Sequence, residues 1–159
     1  MSAPDVDILV QSPHWREHDG SEAAVRDAIA AAAKLVPGAD GEISVLLTDD
    51  AAMRALNNTW RNIDQPTNVL SFPAADGARN SPAGKPGHLG DIAVGYETLV
   101  RECAADGKDF LHHLSHMAVH GFLHLIGYDH QTDSEAEDME RLESAILARL
   151  NIPDPYAQR

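Results

Sequence analysis

Three histidines in the stretch H-G-F-L-H-L-I-G-Y-D-H, residues 120–130, have the types and spacing for metal chemistry. His120 and His124 are four residues apart and share one face of any helix that carries them. Gly127 can end that helix and take a positive φ, and the turn swings His130 back toward the same point. Three converging imidazoles, with a fourth position left for water, are the ligand set of a catalytic zinc site. A metal so held lowers the pKa of bound water to about 7 and stabilises an oxyanion. The offsets of 0, 4 and 10, with glycine at 7, equal those of the H-E-x-x-H-x-x-G-x-x-H zinc peptidases. Their general-base glutamate follows the first histidine, where this chain has Gly121. Peptidase chemistry by that route is disfavoured, and the glycine is expected to leave room beside the metal for a bulkier substrate.

The rest of the chain supplies elements to hold this stretch. Residues 6–10 (V-D-I-L-V), 42–47, 68–72 and 90–94 are short and rich in β-branched or alternating apolar residues, as strands are. An alanine-rich helix is expected over 21–36, capped by Asp19 or Ser21, with Val25, Ile29, Ala32 and Val36 along one stripe. Thr48-Asp49-Asp50 opens a second helix that runs to about Thr59 and turns Met53 and Leu56 inward. A third spans 96–105, ending near Gly107. Residues 109–126 are apolar nearly all round, which assigns the histidine-bearing helix to the middle of a domain. Thr132-Asp133-Ser134-Glu135 matches a capping box that opens the last helix, with Met139, Leu142, Ile146 and Leu150 inward and a solvated acidic outer face. Residues 74–89 hold Pro82, Gly84, Pro86 and Gly87 and almost no apolar content, the pattern of a mobile loop. The expectation is a single α+β domain over residues 1–159, a mixed sheet of about four strands packed against about five helices.

Composition narrows the setting. The lone Cys103 forms no internal bridge and fits a reducing compartment. The opening M-S-A-P-D-V-D-I-L-V lacks the basic and apolar regions of a secretory signal, and no apolar run approaches the roughly 20 residues of a membrane helix. A cytoplasmic protein with no membrane partner is expected. The net charge of −13 argues against a general nucleic-acid binder. Residues 51–110, however, carry six basic and seven acidic side chains, and much of the excess lies in 133–143. A local cationic site can therefore still meet RNA, with weak non-specific affinity.

Taken together, three strings carry a resemblance. H-G-F-L-H-L-I-G-Y-D-H is one; Leu56-Asn57, Arg61, Asp64 and Pro66-Thr67-Asn68-Val69-Leu70-Ser71-Phe72-Pro73 form the second; Leu89-Gly90-Asp91-Ile92 is the third. In this order, from about residue 42 to 150, the chain resembles the YbeY family, bacterial single-strand-specific endoribonucleases of ribosomal RNA maturation. The resemblance implies that His120, His124 and His130 bind one Zn2+ and that Arg61 is the functional cation near it. It also implies single-stranded RNA and ribosomal RNA precursor as substrates, the ribosome or its proteins as partners, and no DNA. A guanidinium grips phosphate bidentately and stabilises charge developing on phosphorus. From the residues alone, a surface ion pair between Arg61 and Asp64 is the plainer role.

Other polar residues carry less. His116, one turn before His120, either serves the site as a proton shuttle or packs in the core with a backbone hydrogen bond, the plainer reading. Asp129 either orients a histidine or stabilises the turn. Asp91 either starts a strand near the site or caps a turn. His112 and His113 are read as solvent-facing, and His88 as a loop residue without supporting spacing. Two rivals stand beside the nuclease: a zinc peptidase or amidase, and a ribosome-associated assembly factor with a structural zinc. A structural zinc has four protein ligands, and the sequence offers three at suitable spacing.

Overall fold

A computed structural model describes residues 4–37, 40–74 and 88–157. The chain runs through strand β1 (Asp5–Val10), a 3₁₀ turn (Pro13–Glu17), helix α1 (Ser21–Leu35), β2 (Glu42–Thr48) and α2 (Asp50–Arg61). It continues with β3 (Val69–Pro73), β4 (His88–Gly95), α3 (Tyr96–Asp106), α4 (Phe110–Leu125) and α5 (Asp133–Ala148). One mixed sheet results, in the order β1-β2-β4-β3. β1, β2 and β4 are parallel, and β3 pairs antiparallel with β4 along one edge. The expected α+β domain of four strands and five helices is what forms.

Alternation along the strands gives the sheet two different faces. Ile43, Val45 and Leu47 of β2, with Ile92 and Val94 of β4, point into the main core against α1, α4 and α5. Leu46, Leu70, Phe72 and Ala93 point the other way, where Met53 and Leu56 of α2 cover part of the sheet. The stripe Val25, Ile29, Ala32 and Val36 of α1 is buried, as its spacing predicts. α4 is buried on most of its surface and packs on α1, α5, β3 and β4, so the histidine helix is indeed central.

Local chemistry sets the element ends. Asp49 caps α2 by accepting from Ala52 N at 2.9 Å, and Thr132 and Glu135 close the capping box of α5. The start of α1 differs from expectation. Gly20, at φ +89, is its cap, while Ser21 is buried and donates its hydroxyl to His18 O at 2.8 Å. The chain leaves the 3₁₀ turn through a left-handed residue, which displaces Asp19 from the capping position. The loop expected over 74–89 is also revised: His88 and Leu89 already belong to β4, and residues 75–87 lie outside the described residues. Among the described residues, no helix is long and apolar enough to cross a membrane.

Candidate metal centre

α4 carries His120 and His124 one turn apart on the face that emerges from the core. The helix ends at Leu125, and Gly127 at φ +110 reverses the chain and returns His130 to its two partners. One ring nitrogen from each of the three lies within 4.8 Å of those of the other two. The Nε2 atoms of His120 and His124 are 3.2 Å apart. Tetrahedral ligands at Zn–N distances of 2.0–2.1 Å sit roughly 3.3 Å from one another, so this pair has the separation that a shared ion requires. The three residues are thus positioned to bind a metal ion.

A buried carboxylate sets the direction of one ligand. Glu143 of α5 is 1% exposed; its Oε2 accepts from His120 Nδ1 at 2.7 Å. Its Oε1 accepts from His116 Nε2 at 2.7 Å and from the Tyr156 hydroxyl. Burial by itself raises the carboxyl's pKa, but the hydrogen bonds from His116, His120 and Tyr156 outweigh it and hold the group at about 2. An ionised Glu143 keeps the proton of His120 on Nδ1 and leaves the Nε2 lone pair for a metal. His124 is held below its ordinary value chiefly by burial, then by the neighbouring charges of His120 and His130, which favours the neutral, ligating form.

The wall opposite the histidines is the second string of the sequence. Thr67, Asn68, Ser71 and Arg61 line the same cleft of about 590 Å³ as the three histidines. Asn57 is buried and donates to Gln65 O at 2.9 Å, pinning the turn that follows Arg61. Asp64 is taken by Arg54, with two contacts at 2.7 and 2.9 Å. The plainer role for Arg61, an ion pair with Asp64, is therefore absent. Among the described residues the exposed guanidinium of Arg61 has no hydrogen-bond or ionic partner.

With a histidine triad facing a cation across one cleft, similarity to known proteins can be set beside geometry. Residues 11–151 match the family described as Endoribonuclease YbeY. The chain belongs to the YbeY endoribonuclease family. Among its relatives, Endoribonuclease YbeY of Rhodopseudomonas palustris (strain BisA53) is 54% identical over 158 residues, covering 98% of this chain and 92% of the relative. That of Nitrobacter winogradskyi is 56% identical over 159 residues, covering 98% and 84%. The solution structure of TM1509 from Thermotoga maritima shares the fold, with a TM-score of 0.54 at 21% identity over 92% of this chain and 91% of that one.

Several expectations change against this geometry. Gly121 does not leave space for a substrate: a Cβ there would lie 3.0 Å from Ile92 Cγ2 and 3.1 Å from Ser71 Oγ. Its carbonyl accepts from that hydroxyl at 3.0 Å, so glycine lets α4 close on the sheet. His113 is not solvent-facing; it is 6% exposed, bonded to Glu102 at 2.8 Å, with its pKa lowered chiefly by burial. His112 is exposed, as read. His116 is buried, but its partner is the Glu143 carboxylate rather than a backbone group. Asp129 accepts from His130 N at 2.8 Å, a turn role, and Asp91 lies exposed in β4 beside His88 at 3.2 Å. Glu143 itself was hidden in the acidic outer face assigned to α5. Its one signal is spacing, four residues after Met139 and three before Ile146, on the buried stripe.

Proposed function

We propose that this chain is a zinc-dependent endoribonuclease that cleaves single-stranded RNA during maturation of ribosomal RNA in the cytoplasm. The observation that carries the reading is Arg61, an exposed guanidinium without a described partner in the same cleft as His120, His124 and His130. His120, His124 and His130 would hold the zinc, which when bound supplies a Lewis acid and an acidified water. Glu143 orients His120, and Arg61 binds the non-bridging oxygens of the scissile phosphate, neutralising charge as it grows on phosphorus. Gly121 follows His120 in place of a carboxylate, so on this reading a phosphate oxygen of the substrate takes the proton of the attacking nucleophile, either water or the RNA 2′-hydroxyl.

The peptidase reading is weakened by the burial of position 121 against β3 and β4. The structural-zinc reading is weakened by the donor count, since the ligating group among the described residues has three members and opens onto a cleft. An RNA cleavage assay on wild type, Arg61→Ala and His120→Ala, with bound metal measured for each, tests the proposal. Arg61→Ala is expected to keep its metal and lose roughly 10²–10³-fold in rate. Full activity in that variant, or in metal-free wild type, refutes it. A 2′,3′-cyclic phosphate end on the product identifies the 2′-hydroxyl as nucleophile and excludes attack by water.

A further inference from the structure

Arg61 lines a second recess besides the metal cleft. This is an apolar groove of about 790 Å³ on the face of the sheet that α2 covers only in part. The two share Arg61, Leu70, Ser71 and Pro73, so the groove continues the cleft over the β3 edge. Successive helical residues point about 100° apart; Arg61 and its neighbour Trp60 both line the groove, and Arg61 also lines the cleft. Trp60 is 68% exposed, and its ring lies 6.0 Å from that of Phe72 at 60°. Phe72 is held on this face by its packing against Met53, Leu70 and Ala93. A large aromatic left in water beside an apolar floor forgoes burial that a flat ligand would supply.

We propose that the exposed face of Trp60, its ring tilted against the supporting Phe72, stacks on one nucleobase of the RNA strand, next to the phosphate that Arg61 grips. The proposal rests on the nuclease reading above and assigns the source of its preference for single strands. Charge fixes the orientation. The carboxylates of Asp7 and Asp91 line the groove and repel a phosphate, and Arg54 is neutralised by Asp64. The anionic backbone therefore stays at the Arg61 end, and the uncharged base takes the apolar floor. A base is free to stack on protein only when it is not paired in a duplex. A second copy of a chain with net charge −13 is a poor occupant, because like charge opposes its approach.

Intrinsic fluorescence gives the test a direct readout. The chain has two tryptophans; Trp15 is 3% exposed and donates its indole N–H to Thr48 O at 2.9 Å, so quenching by added ligand reports Trp60. Metal-loaded full-length protein is titrated with a short single-stranded oligoribonucleotide carrying cleavage-resistant phosphorothioate linkages, and with an abasic strand of equal length and the same linkages. The oligoribonucleotide is expected to quench and the abasic strand not. Trp60→Ala should weaken binding by roughly 5- to 100-fold with metal content unchanged, and Trp60→Phe by less. Binding by Trp60→Ala within about twofold of wild type, or equal quenching by the abasic strand, overturns the stacking. So does a wild-type dimer that Trp60→Ala dissociates. If Arg61→Ala loses RNA and Trp60→Ala does not, only the stacking fails; if wild type binds no RNA, the nuclease reading fails with it.

Discussion

Replacing Glu143 by glutamine changes one atom of a buried group and should reach the metal through His120. The wild-type carboxylate accepts three hydrogen bonds, from His116 Nε2, His120 Nδ1 and the Tyr156 hydroxyl. An amide has one oxygen and one NH2. If its oxygen keeps His116 and Tyr156, its NH2 faces His120 Nδ1, which must then accept. The neutral imidazole then carries its proton on Nε2, the nitrogen that faces His124. Loss of such an orienting partner costs about 10–100-fold in metal affinity, or about 1.4–2.7 kcal/mol. Competition against a zinc chelator measures this, and thermal melts of the metal-free protein separate it from instability. The pH dependence gives a second handle. The carboxyl sits at about 2 instead of its ordinary 4.5, which corresponds to on the order of 3 kcal/mol of folded-state stability. That contribution is complete above pH 4.5 and is lost as pH falls through 2, so the metal-free glutamine variant should lack it. A variant that binds zinc within about twofold of wild type and melts with the same acid profile would refute the orienting role.

Two further outcomes follow from the same geometry. Gly121→Ala should destabilise the fold by up to about 2 kcal/mol, because crowding of its Cβ against Ile92 and Ser71 at 3.0 and 3.1 Å outweighs the roughly 1 kcal/mol gained in helix propensity. An unchanged melting temperature would show that α4 does not need glycine to close on the sheet. In the metal-free protein His124 should protonate below the ordinary imidazole range, since burial first, and then the neighbouring His120 and His130, lower its pKa. An NMR titration that finds it raised above that range would contradict this.

The convergence of the three histidines was legible in the sequence because it is local. Two histidines a helical turn apart and a glycine before the third need no tertiary information to be brought together. The element types were legible for the same reason, through the α1 stripe and the capping box of α5. The order β1-β2-β4-β3 was not, since it depends on which strands pair across long separations. Glu143 escaped because its histidine partners lie 23 and 27 residues away, and an acidic helix normally exposes its carboxylates. His113 was misread because only the docking of α3, with Glu102, turns that side of α4 inward. Gly121 was misread because spacing places a residue on a helix without saying which neighbour covers it.

The bond between Ser71 and the carbonyl of Gly121 also limits how this cleft can diverge. It joins the helix that carries two ligands to the edge strand of the opposing wall, at a spacing set by the smallest residue. A glutamate placed at position 121 would have to part that seam before its carboxylate reached any water. Ile92 and Ser71 would both have to give way by a few tenths of an ångström even for its Cβ. A single substitution toward the peptidase arrangement therefore meets a packing cost before any catalytic gain.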